Sequence, residues 1–325
     1  VPAPPTAVQH DFPLARLTTV RTGGAAEWFA RAGSEAELRE LLAWATAAAA
    51  PVSVVGSGSN LLVADEGVKG LVVKLDRALA KIDVEGRRIV CGGGARLPAV
   101  AARAARAGLS GIEFGVNIPG TVGGAVRMNA NAYGGELERA LEWVEVVTAG
   151  VEAPGSAATV QLSTEVAVKD AGGDRRAPRE LGFGYRRSNL TDGEIVTRAS
   201  LQLAPADPEA VKTTLEEMRA RRHEAQPQGI KTFGSTFKNP EGRAGANDMG
   251  RSAGLLLSEA GCNDVAVGGA RFASKHANFI ENVGTATTAD VIAVMAEGRR
   301  RVKECFGVEL EPEVQTLGNV RFPWL

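Results

Sequence analysis

Glycine arrives in clusters in the first half of this chain, at Gly56–Gly58, Gly92–Gly94, Gly120–Gly124 and Gly134–Gly135. A residue without Cβ belongs where the backbone takes positive φ, or where another group must come close to it. Clusters of this kind leave two readings open: tight turns between short strands, or a large ligand wrapped by main chain. The 39 glycines in 325 residues are the one unusual count, because 44% hydrophobic and 23% charged residues are ordinary for a soluble globular chain of two or three domains. With 37 Lys+Arg against 38 Asp+Glu, the chain has no global pull toward nucleic acid or anionic lipid. No stretch approaches the roughly 18 apolar residues of a membrane span. The nearest, Leu41 to Ala50, is alanine-rich and stops at Pro51. The first twelve residues are proline-rich without a basic start, which predicts a loose tail and not a signal peptide. Cys91, Cys262 and Cys305 are odd in number and far apart, which suits a reducing cytoplasm and no disulfide framework.

The hydrophobic pattern alternates between helix and strand. Ser34 with Glu37 forms a capping-box pair ahead of a helix over Leu38–Ala49. Strands are expected at Pro51–Val55, Leu61–Val63 and Leu71–Leu75, and an alanine-rich helix over Leu97–Ala107. Trp143–Val147 and Glu194–Gln202 read as strands around a polar surface excursion, 153–178. A second unit is expected from about Pro205, where Asp207 and Pro208 open a long helix to about Ala225. Thr287 with Asp290 caps another helix through Val291, Val294, Met295 and Val302. The basic cluster Arg219, Arg221, Arg222 and His223 sits at a helix C-terminus, where cations favour the macrodipole.

Two familiar site patterns fail on physical grounds. Gly56-Ser57-Gly58 follows a strand, and Asp76 stands where a ribose-binding acid belongs, which suggests a dinucleotide crossover. Between Val55 and Leu71, however, there is room only for a short strand and a turn, and a parallel crossover needs a helix. The turn can offer amides to a phosphate without being such a crossover. Gly250-Arg251-Ser252-Ala253-Gly254 fits the nucleophile elbow of a serine hydrolase, with Asp264 and His276 following in order. The elbow requires a buried strand before the serine, and Glu241 to Met249 is polar and glycine-rich. A hydrolase using Ser252 is therefore the weaker alternative. No metal site is expected, since His10, His223 and His276 are isolated.

Longer strings say more. Ile118-Pro119-Gly120-Thr121-Val122-Gly123-Gly124-Ala125 is followed by Met128-Asn129-Ala130 and Ala132-Tyr133-Gly134-Gly135-Glu136. Phe183-Gly184-Tyr185-Arg186, Gly234-Ser235-Thr236-Phe237-Lys238-Asn239-Pro240, His276-Ala277-Asn278-Phe279-Ile280 and Leu310-Glu311-Pro312-Glu313-Val314 complete the set. In these strings, from about Leu17 to Gly318, the chain closely resembles the UDP-N-acetylenolpyruvoylglucosamine reductase (MurB) family, flavoenzymes of bacterial peptidoglycan precursor synthesis.

The resemblance implies an α+β fold: a two-lobed FAD-binding module of the vanillyl-alcohol-oxidase type, then a smaller α+β substrate-binding domain. It divides the chain into a tail (1–16), an FAD-binding domain (17–204, with lobes 17–80 and 81–204), a substrate-binding domain (205–312) and a returning C-terminal segment (313–325). The FAD pyrophosphate is expected on the backbone of Val55, Gly56, Ser57, Gly58, Ser59, Asn60 and Leu61. Gly58 would leave room for its approach, and Gly120, Thr121, Gly123, Gly124 and Ala125 would pass beside the flavin. The implied catalytic residues are Arg186 for the substrate carboxylate, Glu313 to position it and Ser235 as proton donor. Tyr185, Lys238, Asn239, Arg271 and His276 are expected at the substrate, although a satisfied structural histidine is the plainer reading of His276. NADPH is the implied hydride donor and UDP-N-acetylglucosamine enolpyruvate the implied substrate, in a cytoplasmic protein, more simply a monomer. With only Tyr133 and Tyr185, the chain looks like the type that lacks the substrate-covering tyrosine loop. Arg271 stands where relatives usually have glutamine, Gln315 where many have arginine, Asn131 where glycine is usual, and Lys231-Thr232-Phe233 replaces a small, polar stretch. Arg271 would compensate by pairing with a substrate phosphate.

Overall fold

A computed structural model describes residues 2–149, 173–240 and 251–324. The elements begin with β1 (Gln9–Pro13), β2 (Ala25–Ala32), α1 (Glu35–Ala47), β3 (Val52–Val54), β4 (Leu61–Val63), β5 (Val68–Leu75), β6 (Ile82–Glu85) and β7 (Arg88–Gly92). Next come α2 (Leu97–Arg106), β8 (Leu109–Ser110), α3 (Val122–Arg127), β9 (Asn131–Ala132), β10 (Gly135–Glu136), α4 (Leu137–Ala140), β11 (Leu141–Thr148) and β12 (Asp174–Arg176). The chain goes on through β13 (Glu194–Gln202), β14 (Ala204–Pro205), α5 (Pro208–Ala225), α6 (Ala253–Glu259), β15 (Ala266–Val267), β16 (Ala270–Ala273), β17 (His276–Asn282), α7 (Thr288–Phe306) and β18 (Gln315–Leu317).

Two compact units result, and neither is one continuous stretch. The first takes Val1–Asp11, Glu27–Gly56 and Lys69–Arg219, and the second Phe12–Ala26, Ser57–Val68 and Ala220–Leu325. The linear limits expected above do not follow this division, because Phe12–Ala26 and Ser57–Val68 group with the C-terminal part.

The first unit has two hydrophobic cores, in keeping with the two-lobed build. One lies under a sheet of order β1-β2-β5-β3, where α1 brings Leu38, Leu41 and Trp44 onto Leu71 and Val73. Ser34 caps α1, its hydroxyl accepting from the Glu37 N–H at 3.2 Å, as the capping-box pattern predicts. β3 and β5 are parallel neighbours, and the chain between them holds β4 and no helix, so the crossover reading is excluded. The other core lies on a sheet of order β12-β11-β13-β7-β6. There α2 turns the stripe Leu97, Val100, Ala101, Ala104 and Ala105 inward, the spacing of one helical face. The polar excursion falls mainly on 153–172, outside the described residues, and its end forms β12.

The expected loose tail is ordered from Pro2 on. Trp44 Nε1 donates to Pro2 O at 3.1 Å, and the His10 ring lies 3.4 Å from that of Trp28. β1 joins a sheet, and Leu14 is fully buried. The indoles of Trp28 and Trp44 give the proline-rich start an apolar surface to pack on, which its local composition does not reveal.

In the second unit β15, β16 and β17 form an antiparallel sheet covered by α6 and α7. α7 starts as its capping box predicts, Thr287 Oγ1 accepting from Asp290 N at 3.0 Å. Asp65 adds a second cap, accepting from Thr288 N (2.8 Å) and Ala289 N (2.9 Å). β4 pairs in parallel with β18. Cys91, Cys262 and Cys305 are free, and burial pushes the Cys91 thiol up to about 12, which keeps it protonated and inert. Among the described residues no helix is long and apolar enough to cross a membrane.

Candidate active site

The first unit contains a cleft lined by Val54, Val55, Gly56, Leu75, Gly93, Gly94, Thr121, Gly123, Gly124, Arg127, Leu190, Glu194, Ile195 and Val196. Four residues expected to bind cofactor besides Val55 are close at hand: Gly56, Thr121, Gly123 and Gly124 all line it. Thr121 caps α3, accepting from Gly124 N at 3.4 Å, and Ala125 is buried behind that turn.

What surrounds each glycine separates those the fold needs from those a ligand would need. A Cβ on Gly93 would stand 1.8 Å from Val196 O, and one on Gly94 2.7 Å from Leu75 O, so packing alone demands glycine there. At Gly124 a Cβ would meet only Thr121 Oγ1, at 3.5 Å, and at Gly120 only Ile118 Cγ2, at 3.9 Å. The protein leaves these two positions open. Apolar walls with bare main chain at the rim suit a flat ring system held by backbone, so the residues present fit a flavin.

Gly58 differs. It has φ +61°, and a Cβ there would stand 2.1 Å from Leu17 O within the second unit, so its glycine serves the turn itself. A side chain at this position would break the fold before it touched a ligand, so a substitution at Gly58 reads the turn and not the cofactor. Ser57, Ser59, Asn60 and Leu61 belong with it to the second unit.

Three cleft features escape the sequence strings. Arg127 bridges α3 to the chain before β13, donating to the carbonyls of Leu190, Thr191 and Glu194, each at 3.0 Å. Burial draws its pKa below the usual arginine value, against the pull of Asp192 and Glu194. Burial also works against the charge of Glu194. The 2.5 Å bond from Arg176 and the Thr191 N–H outweigh it and hold the carboxyl below its usual range, so Glu194 is ionised at neutral pH and its charge is matched by Arg176. Lys74 donates to Gly56 O and fixes the end of β3, its pKa lowered by burial and by Arg31. The Gly92–Gly94 cluster was the one available signal for this wall. The contacts of Arg127 span more than sixty residues and leave no local trace.

Arg186 also lies in the first unit, at the third position of a four-residue turn closed by Gly184 N→Arg187 O (3.1 Å) and Arg187 N→Gly184 O (3.2 Å). Its φ of +57° is a left-handed conformation that an arginine adopts only at a cost. Its guanidinium donates to Asn131 O at 3.2 Å and lies 5.4 Å from the centre of the Tyr185 ring. Since Asn131 contributes its carbonyl, its replacing a usual glycine leaves this bond intact.

In the second unit Ser235 and Glu313 come together through backbone. Ser235 bridges Phe279 of β17, Glu313 N donates to Thr236 O at 2.9 Å, and Lys238 N to Glu311 O at 2.9 Å. Asn60 ties the glycine turn to the same strand: its Nδ2 donates to Glu313 O (3.2 Å), and its carbonyl accepts from Gln315 N (3.1 Å). Ser235 and Glu313 are half-buried. Lys238 pairs with Glu311 at 3.3 Å, and Asn239 Oδ1 accepts from Ala253 N at the start of α6.

Arg271 is exposed, and its guanidinium is held by Glu281 across the β16–β17 pair at 2.9 and 3.0 Å. His276 Nδ1 accepts from Asn278 N (3.2 Å), its ring packs on Phe279 and against Gly254, and burial lowers its pKa. Ser252 is the N-cap of α6, its oxygen accepting from Leu255 N at 3.2 Å, and the elbow's Gly250 lies outside the described residues. The serine oxygen is thus committed to capping α6.

Residues 26–152 match the FAD binding domain, and residues 226–317 match the C-terminal domain of UDP-N-acetylenolpyruvoylglucosamine reductase. The reductase of Novosphingobium aromaticivorans is 41% identical over 95% of this chain and 95% of its own length. That of Heliobacterium modesticaldum is 40% identical over 97% and 94%.

The chain belongs to the UDP-N-acetylenolpyruvoylglucosamine reductase family.

The crystal structure of the family's enzyme from Thermus caldophilus aligns with a TM-score of 0.74 at 37% identity, covering 95% of this chain and 98% of that one. The α+β fold with its FAD-binding module follows from membership, as does an oxidoreductase role.

Proposed function

We propose that this protein reduces UDP-N-acetylglucosamine enolpyruvate to UDP-N-acetylmuramate, with NADPH as hydride donor, in the supply of peptidoglycan precursor. The observation that carries the proposal is the ordered family match along 95% of the chain, joined to a cleft whose Gly124 is left open by the protein's own atoms. FAD, when bound, would supply the hydride chemistry between NADPH and C3 of the enolpyruvyl group.

The chain's own residues then deal with charge and proton. Hydride arriving at C3 turns the C2=C3 double bond into a new C3–H bond and pushes an electron pair from C2 toward the carboxylate. Arg186 pairs with that carboxylate, and its planar fork stabilises the growing charge as a preorganised donor. Glu313 positions the carboxylate, and Ser235 gives its hydroxyl proton to C2 as general acid. An alcohol is a weak acid, but a carbanion next to a carboxylate is basic enough to take its proton, and solvent restores the serine. The β17 pairing of Ser235 and the Thr236–Glu313 backbone bond support joint action of serine and glutamate. Tyr185, Lys238, Asn239 and His276 are assigned to substrate contacts on the family's pattern alone.

Rapid mixing tests the reading. NADPH should bleach the flavin absorbance, and the enolpyruvyl nucleotide should restore it in step with formation of the lactyl ether. Bleaching without substrate-dependent recovery would leave a flavoprotein with another acceptor, and no bleaching would leave a silent binder.

A further inference from the structure

We propose that Asn278 is the positioning residue that sets Ser235, its side-chain amide standing in for a peptide unit where the backbone ladder fails. The inference rests on the reading of Ser235 as proton donor.

The chain at Ser235–Lys238 runs between β17 on one edge and Glu311–Glu313 on the other. Thr236 N donates to Asn278 O at 2.8 Å, while Thr236 O accepts from Glu313 N at 2.9 Å. In a regular antiparallel strand the N–H and C=O of one residue face the same neighbour. Here they face opposite neighbours, so the strand is twisted about Thr236 and the regular alternation cannot continue at Phe237. The Asn278 side chain makes good the deficit. Its Oδ1 accepts from Phe237 N (2.9 Å), and its Nδ2 donates to Phe237 O (2.8 Å). A primary amide carries one acceptor beside its donors, the same pairing a peptide unit offers. Asn278 is 4% exposed and Phe237 0%, so both Phe237 backbone groups would otherwise be buried without a partner.

One residue thus holds both sides of the irregularity, with its main chain on Thr236 and its side chain on Phe237. Ser235 is the next residue, and it is fixed relative to Glu313 through the same Thr236 peptide. Loss of the amide would let the twisted strand relax, displacing the hydroxyl from C2 without altering any group that touches substrate.

The test is a double-mutant cycle on the holoenzyme, with Asn278→Ala made in the wild-type and Ser235→Ala backgrounds. Product formation in a single turnover should slow about 10- to 100-fold in the first background, the loss expected when a reacting group is misplaced by about 1 Å. Flavin bleaching by NADPH should stay within about twofold, and in the Ser235→Ala background the same change should cost less than about twofold. Equal slowing in both backgrounds would make Asn278 a general structural residue and overturn the inference, as would normal turnover in the folded variant. Should Asn278→Ala fail to fold, Asn278→Asp reads the same point through pH. Its neutral carboxyl restores a donor to Phe237 O, so turnover should recover as pH falls from 8 to 5, and a flat profile would count against the inference. If Ser235→Ala alone leaves product formation intact, the reading of Ser235 fails, and that result is separate from any result at position 278.

Discussion

At the scale of single residues, the site is marked by positions where the fold accepts a cost or leaves a space. Arg186 pays in backbone strain, with φ at +57° in a turn that glycine would enter freely. Replacing it by alanine keeps the strain, and replacing it by glycine removes it. The Arg186→Gly variant should therefore be more stable than Arg186→Ala by about 1 kcal/mol, the reverse of the usual order, while both lose turnover. Urea unfolding of the two variants measures this, and equal or reversed stabilities would mean that the turn is not strained. Gly124 is the space. Alanine there meets nothing nearer than Thr121 Oγ1 at 3.5 Å and sits in α3, so stability should hold or rise by up to about 1 kcal/mol. The added methyl should intrude on the ligand, so flavin content after purification should fall. Full flavin retention would remove Gly124 from the cofactor site.

At the scale of elements, local sequence was legible and long-range pairing was not. The caps of α1 and α7 could be read from Ser34/Glu37 and Thr287/Asp290 because each acts within one turn. The Asp65 cap on α7 could not, since its partner Thr288 lies 223 residues away and an aspartate beside a glycine turn already has a local explanation. β17 shows the same division: its string was recognised, but the use of His276 Nδ1 as acceptor for Asn278 N appears only in the fold. That bond and burial both favour the neutral imidazole. Burial holds the folded pKa below the ordinary value of 6.5, so the unfolded chain binds the proton more readily. Stability contributed by His276 is therefore complete above about pH 6.5 and is lost as pH falls from there toward the folded pKa. Urea midpoints between pH 7.5 and 5.5 should decline less in His276→Gln than in the wild type. Parallel declines in the two proteins would assign the pH dependence to other groups.

At the scale of the whole molecule, the motif strings carried the family and the fold class, while composition carried only the exclusions. The linear limit near Pro205 missed what completes the second unit. Val20 and Leu62 are fully buried in its core, and β4 is the partner of β18, so two early segments belong to a unit whose bulk comes late. Pairings separated by some 250 residues have no periodicity to betray them. A fragment of residues 205–325 should accordingly lack a cooperative unfolding transition, and a sharp transition followed by circular dichroism would show that the early segments are dispensable. In the proposed chemistry hydride reaches one carbon and Ser235 protonates the next. Rapid mixing of Ser235→Ala isolates it. Bleaching by NADPH should proceed at a nearly normal rate, while recovery with the enolpyruvyl nucleotide should slow by about 100-fold or more, the scale of a lost general acid. Equal slowing of both halves, or of neither, would contradict the account.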